Sequence, residues 1–201
     1  MRTLTDVSEL RALYGLPMEL AVKKSLPRLD RHCREFIRLS PFLLISTQGP
    51  GGADISPRGD PSGFVSLEDD ATILIPDRPG NNRVDTLENI LHNPRVAIIF
   101  LVPGLSESLR INGRAEVVLG PELQRLAQGD RVPKTAIRVR IEEVFFHCAK
   151  ALIRSRLWDP ETRVPKGSLP PLGAILADQI AGVDAEVQTA AIEEAYRTTL
   201  Y

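Results

Sequence analysis

The sequence has few cysteines, and their positions suggest neither a disulfide framework nor a metal cluster. Its 201 residues include two cysteines, Cys33 and Cys148, one tryptophan and three histidines. Two cysteines cannot form the disulfide framework of a small secreted domain, so both thiols are expected to be reduced. The pairs His32-Cys33 and His147-Cys148 lack the Cys-x-x-Cys spacing of zinc ligands. We therefore expect no metal site.

Long apolar runs and an excess of one charge are also absent. No apolar run approaches the length of a membrane span, and the charged, amphipathic N-terminus lacks the apolar core of a signal peptide. With 25 basic and 26 acidic residues, the chain has no electrostatic reason to bind nucleic acid or a membrane surface. These absences predict a cytoplasmic protein, and any cationic site must be local.

The common nucleotide-binding fingerprints are missing as well. The glycine-containing segment at residues 48–52 has no third glycine at the required position, and no Lys-Ser or Lys-Thr follows it. Neither the dinucleotide fingerprint nor the P-loop is therefore present. The segment is better interpreted as the turn of a β-hairpin.

Short apolar runs, rich in β-branched residues and separated by turn residues, occupy the middle of the chain. In residues 108–119, apolar side chains alternate with Arg110, Asn112, Arg114 and Glu116, which is typical of a strand with one buried face. Six or so such strands with hairpin-length connections predict a mainly β fold, a six-stranded antiparallel barrel with flanking helices. The predicted organisation is one domain: a helical preamble at 1–40, the barrel at 41–158, and a linker with C-terminal helices at 159–201.

One segment, residues 76–94, interrupts the strands with a helical pattern. Val84, Leu87 and Ile90 recur at helical spacing, Asn82 is the predicted N-cap, and Asn93-Pro94 is a stop signal. The segment opens with two arginines, a glycine and two asparagines. Free backbone N–H groups, the positive end of a helix dipole and guanidinium groups favour a bound anion, and above all a phosphate. The same composition is also typical of a solvated turn.

Four motifs together resemble the pyridoxamine 5′-phosphate oxidase-like, FMN-binding split β-barrel family, in an uncharacterised branch. They are DISPRGD at 54–60, PDRPGNNRVDTLENILHNPRV at 76–96, LRINGRA at 109–115 and FHCAKALIRSRLW at 146–158. The resemblance covers about residues 41–160. Four motifs in the right order are more specific than any one of them.

The resemblance implies a homodimer with one FMN at each end of the interface, each site built from both chains. It also implies a set of cofactor contacts but no catalytic residue. Phosphate and ribityl contacts would come from Ser56, Arg58 and Arg83, supported by Asn82 and Thr86. The groove would be lined by Arg110 and Asn112. Four residues would approach the flavin ring, either in their own chain or in the partner chain of the dimer: Lys150, Arg154, Ser155 and Trp158.

Other interpretations of these residues stay open on the sequence alone. Arg110 and Asn112 also fit the solvent face of a strand, Lys150 and Arg154 a solvated helix face, and Trp158 a packing residue. Lys150, Arg154 and Trp158, spaced four apart, would share one helix face.

The function implied is an FMN-dependent oxidoreductase that moves two electrons through flavin N5 to or from an unidentified small substrate or oxygen. Two alternatives remain: a non-catalytic flavin-binding or sensing module, and a split barrel that holds haem or a deazaflavin. The chain ends in EEAYRTTLY and lacks the Arg-x-x-x-Pro-like tail of the true pyridoxamine phosphate oxidases. The vitamin B6 reaction is therefore not implied.

Overall fold

A single antiparallel sheet organises the computed structural model, which describes residues 1–201. Its seven strands lie in the spatial order β2-β1-β5-β6-β7-β4-β3. They are β1 Phe42–Gly49, β2 Gly52–Gly59, β3 Ser66–Leu67, β4 Thr72–Pro76, β5 Arg95–Leu101, β6 Ser108–Val118 and β7 Ala136–His147. Every neighbouring pair is antiparallel.

The mainly β fold with flanking helices is confirmed, but the predicted number of strands was wrong. The sheet has seven strands rather than six, and it is not closed, because its edge strands β2 and β3 do not pair with each other. Strand β3 has only two residues, which is too short to produce a readable alternation. The segment at 48–52 is the β1–β2 hairpin turn, as expected.

Seven α-helices and two 3₁₀ segments flank the sheet. The α-helices are α1 Val7–Tyr14, α2 Glu19–Lys23, α3 Arg31–Leu39, α4 Asp85–His92, α5 Lys150–Ser155, α6 Leu172–Gln179 and α7 Ala185–Thr198. The 3₁₀ segments are Pro121–Leu126 and Pro160–Thr162. None of the helices is both long and apolar enough for a membrane crossing.

Helix α3 is the flanking helix that packs into the core. Asp30 caps it by accepting hydrogen bonds from the amides of His32 and Cys33, and the bond from Cys33 is the main reason that the pKa of Asp30 lies below its ordinary value. One face of the helix buries Cys33, Phe36 and Ile37. Burial raises the pKa of the Cys33 thiol to about 12, so this cysteine is unreactive at neutral pH.

The core lies where the inward faces of the strands meet α3 and α4. Along β6, Leu109 and Ile111 are fully buried, whereas Arg110 and Asn112 are half-buried on the other face. The alternation predicted for residues 108–119 is therefore confirmed. A β-bulge between Asn112 and Gly113 shifts the register of β6 against β7.

The start of helix α4 differs from the sequence prediction. Helix α4 begins at Asp85, and Val84 occupies the N-cap position with φ 52°, making no side-chain cap. Asn82 has φ 59° and is not the cap, so that prediction was wrong. A left-handed conformation is uncommon for any residue but glycine and is strained for a β-branched one. The chain therefore takes two left-handed steps before entering the helix.

Gly113 gives a direct test of the bulge. A Cβ at this position would lie 2.2 Å from the carbonyl oxygen of Arg140, which is backbone and cannot rotate away. We expect Gly113→Ala to lower the free energy of unfolding by about 1–3 kcal/mol, measured by urea denaturation. Gly51→Ala is the control, because a Cβ there meets nothing within 4 Å, and it should change stability by less than about 0.5 kcal/mol. Equal stabilities of the two variants would contradict this packing.

Candidate functional site

A groove of about 910 Å³ opens where the end of β2 faces the β4–α4 loop. Its floor and walls come from five parts of the chain: β2, Phe64, residues 76–86, residues 131–134 and the last residue, Tyr201. Five basic side chains and three acidic ones line it. The basic residues are Arg58, Arg78, Arg83, Arg131 and Lys134. This excess of positive charge favours an anionic ligand.

Arg58 is the most buried cation that faces the groove without a close carboxylate partner. Its side chain is 20% exposed and donates hydrogen bonds to Ser56 Oγ and to the carbonyl oxygen of Pro57. The closest carboxylate oxygen, on Asp77, is 3.7 Å from its Nη2. The Nε donor of Arg58 is buried and has no partner. A buried donor without an acceptor is unfavourable, and an acceptor bound in the groove would relieve this.

Asp77 lies beside Arg58 as the first residue after β4. Its amide donates to the carbonyl oxygen of Thr135, which extends the pairing of β4 with β7 by one hydrogen bond. Burial raises the pKa of the Asp77 carboxyl, and the neighbouring Arg58 guanidinium offsets part of that effect. The groove therefore holds one carboxylate whose charge is disfavoured.

A second ion pair closes one side of the groove. Arg78 Nε donates to Asp60 Oδ2 at 2.6 Å, and the Tyr201 hydroxyl donates to Asp60 Oδ1 at 2.6 Å. The Asp60 side chain is 1% exposed and Arg78 15% exposed, so this pair is buried. The guanidinium of Arg78 also lies 5.8 Å from the ring centroid of Tyr201. Arg78 is thus already neutralised. The remaining basic side chains of the groove are Arg58, Arg83, Arg131 and Lys134.

Arg83 lies at the exposed rim of the groove, at the start of α4. Its side chain is 73% exposed and its Nε donates to Asp85 Oδ2 at 2.8 Å. The backbone amides of Asp85 and Thr86, in the first turn of α4, make no hydrogen bond. Free amides at the positive end of a helix, next to an arginine, form a suitable place for a phosphate.

The structure brings five of the predicted cofactor residues together in this groove. They come from β2, from the β4–α4 connection and from the first turn of α4: Ser56, Arg58, Asn82, Arg83 and Thr86. Thr86 is buried at 3% exposure, which fixes the first turn of α4 against the sheet. The roles of these residues stay a prediction.

Arg110 and Asn112 lie outside the groove, on another face of the sheet. Arg110 stacks over the Phe145 ring, 5.5 Å from its centroid, and Asn112 Nδ2 donates to Glu143 Oε2 at 2.7 Å. Ser25 also donates to Glu143, at 2.7 Å. Hydrogen bonds from Ser25 and Asn112 lower the pKa of Glu143. The segment that leads into α3 thus covers this face.

The four residues predicted near the flavin ring also lie outside the groove of the single chain. They follow β7, in and after α5: Lys150, Arg154, Ser155 and Trp158. The hydroxyl of Ser155 donates to the carbonyl oxygen of Leu152, and Trp158 Nε1 donates to that of Leu105. Helix α5 ends at Ser155, and Arg156 turns left-handed, so Trp158 does not share a helix face with Lys150 and Arg154. That part of the prediction was wrong.

Several groove residues were not among the predicted contacts. Asp77 and Arg78 belong to the motif at 76–96, and Asp60, which pairs with Arg78 behind the groove wall, belongs to the motif at 54–60. The motifs therefore contained the signal for them. Arg131 and Lys134 come from an irregular segment without a pattern. Tyr201 lies 141 residues after Asp60, and no local pattern in the sequence relates the two.

Comparison with known proteins identifies the family. A model of the pyridoxamine 5′-phosphate oxidase family matches residues 29–148, which is more than half of the chain. The chain belongs to the pyridoxamine 5′-phosphate oxidase family, as the four motifs predicted. The matched region covers α3 and all seven strands. Curated protein sequences give no match.

Solved structures with a similar fold match only part of the chain. HupZ of Group A Streptococcus is 22% identical, with 59% of this chain and 93% of that chain covered and a TM-score of 0.49. The FAD-binding protein of Mycobacterium smegmatis is 16% identical, with 61% and 97% covered and a TM-score of 0.42. A FAD-binding protein of Mesorhizobium loti is 18% identical, with 62% and 99% covered and a TM-score of 0.42. At these identities the similarity concerns fold alone.

The raised pKa of Asp77 makes stability depend on pH in a predictable direction. Because the folded state binds this proton more tightly than the unfolded state does, the free energy of unfolding falls as pH rises from the ordinary value of 3.8 through the higher folded pKa. Asp77→Asn should remove the part of this fall in unfolding free energy that Asp77 causes. The measurement is urea denaturation at a series of pH values from 3.8 upward. Identical pH profiles for Asp77→Asn and wild type would contradict the burial of a charged Asp77.

Proposed function

We propose that the chain is an FMN-dependent oxidoreductase that binds its cofactor in the groove between β2 and the β4–α4 loop. The observation that carries the proposal is Arg58, which is 20% exposed at the groove and has a buried Nε donor without a partner. An acceptor atom of a bound ligand would satisfy that donor. Membership of the pyridoxamine 5′-phosphate oxidase family supports a phosphorylated, flavin-type ligand.

The residues of the groove suit a single phosphate group. Arg58 and Arg83 supply guanidinium donors that match the geometry of phosphate oxygens. The free amides of Asp85 and Thr86 add N–H groups at the positive end of α4. FMN carries one such phosphate, and Ser56 and Asn82 offer neutral hydrogen-bonding groups for its ribityl chain.

The reaction proposed is a two-electron transfer to or from a small organic substrate or oxygen. When bound, FMN supplies this chemistry through N5 of its ring. The residues of the groove hold and orient the cofactor, and none is assigned to proton transfer. Reduction of the bound flavin by NADH or NADPH, followed by reoxidation in air, tests the catalytic part separately from binding.

A homodimer, with the sites at its interface, completes the proposal. Large apolar side chains that do not line the groove are exposed, among them Ile153 on α5 at 60% and Leu91 on α4 at 75%. Helices α1 and α2 bury no residue at all. Exposed apolar surface of this extent favours association with a second copy. In that arrangement the partner's surface, carrying Lys150, Arg154, Ser155 and Trp158 together with Arg110 and Asn112, would complete each site.

Substitution of the groove arginines tests cofactor binding. Arg58→Ala should weaken FMN binding about tenfold to a hundredfold, because a buried charge-assisted hydrogen bond is lost. Arg83→Ala should weaken it about fivefold to tenfold, because its side chain is more exposed. The measurement is a titration of FMN into the cofactor-free protein, followed by flavin fluorescence.

Arg138→Ala is the matched control for these variants. Arg138 lies on β7, paired with Glu68 and Glu116 and outside the groove, so its removal should leave FMN affinity unchanged. Equal affinities of the Arg58→Ala, Arg83→Ala and Arg138→Ala variants would count against the assigned phosphate site. Failure of the wild-type protein to bind FMN at micromolar concentration would overturn the proposal as a whole.

The proposed dimer gives a mass that can be measured directly. Light scattering on the purified protein should return twice the chain mass of 22.2 kDa. Ile153→Asp should shift the mass towards that of a single chain, because it places a charge on an exposed apolar residue of α5. A wild-type mass of one chain would contradict the dimer.

A further inference from the structure

One residue makes the hydrogen bond that joins the C-terminal helical pair to the rest of the chain. Helices α6 and α7 pack against each other so closely that a Cβ on Gly173 would lie 2.3 Å from the amide nitrogen of Thr189. Residues 164–201 make a single hydrogen bond to the rest of the chain, from the hydroxyl of Tyr201 to Asp60 Oδ1. Helix α7 buries no residue. The hydrogen bond of Tyr201 is therefore the polar contact that fixes the chain end beside the groove.

The place where Tyr201 is held is built for its side chain. Asp60, with a side chain 1% exposed, accepts from both Arg78 and Tyr201, so neither of its oxygens is left without a partner. The hydrogen bond to Asp60 raises the pKa of Tyr201, which keeps the phenol protonated as the donor. The guanidinium of Arg78 lies over the ring at 5.8 Å. Two charged groups thus orient one aromatic ring.

That ring is part of the groove wall. Phe64 and Tyr201 are the two aromatic side chains that line the groove. The phosphate-binding groups Arg58 and Arg83 belong to other parts of the wall, and Arg78 is committed to Asp60. A planar, conjugated ring system binds best against aromatic side chains, by stacking or edge contact. Phe64 and Tyr201 are therefore the groove side chains suited to the ring end of a flavin phosphate.

We propose that Tyr201 contacts the flavin ring of the bound cofactor, positioned by Asp60 and Arg78 and delivered by the C-terminal helical pair. This inference rests on the proposed function, since it needs FMN in the groove. It adds a cofactor contact from outside the family-matched region, which ends at residue 148. The C-terminal segment is then part of the cofactor site.

Flavin fluorescence tests the contact independently of activity. A phenol ring in van der Waals contact with a flavin strongly quenches its fluorescence, whereas a phenyl ring does not. In the full-length protein carrying Trp158→Phe, which removes the indole that the proposed dimer places at the same site, bound FMN should be strongly quenched. Adding Tyr201→Phe should lengthen the fluorescence lifetime several-fold and weaken FMN binding no more than Tyr201→Ala does. Tyr201→Ala should lengthen the lifetime equally and weaken FMN binding about tenfold, because the ring contact is lost.

Tyr196→Phe is the matched control. Tyr196 lies on α7 with 60% of its side chain exposed and does not line the groove, so this variant should retain wild-type quenching. In the Trp158→Phe protein, bound FMN with the same lifetime with and without Tyr201→Phe would overturn the contact while leaving the proposed function intact. A wild-type protein that does not bind FMN would overturn both.

Discussion

The buried ion pair between Asp60 and Arg78 is the interaction on which the groove depends. Asp60 follows the end of β2, and Arg78 lies in the β4–α4 loop, so their contact joins the two walls. Both charges are largely removed from water, which is unfavourable unless the geometry and the remaining hydrogen bonds are good. Asp60 meets that condition with Arg78 on one oxygen and Tyr201 on the other. The loop, the strand end and the chain terminus are thereby held around one space.

This pairing also determines which cations are left for a ligand. Arg78 is satisfied within the wall, whereas Arg58 has a buried donor without an acceptor and a carboxylate no closer than 3.7 Å. Burial already disfavours the negative charge of that carboxylate, Asp77. A doubly charged phosphate is a stronger partner for Arg58 than such a carboxylate. The strained left-handed conformation of Val84 places the first turn of α4, with its free amides, at the same groove.

Features set by local sequence patterns could be predicted, whereas contacts between residues far apart in sequence could not. Alternation in residues 108–119 predicted β6 and its faces, because a strand with one buried face repeats every two residues. The predicted cap at Asn82 failed because two left-handed residues delay the helix start, and backbone strain leaves no pattern in composition. Ser56, Arg58 and Arg83 were recognisable from motifs, and the structure places all three in the groove. Tyr201 was not, because its contact with Asp60 crosses 141 residues.

The central claim is that the groove holds a phosphorylated flavin. The most direct measurement is the visible absorption spectrum of the protein as purified from cells, with mass spectrometry of the cofactor released on denaturation. The account predicts the flavin absorption bands and a released compound with the mass of FMN. A spectrum dominated by haem, a deazaflavin as the released compound, or a colourless protein that also fails to take up added FMN would contradict it.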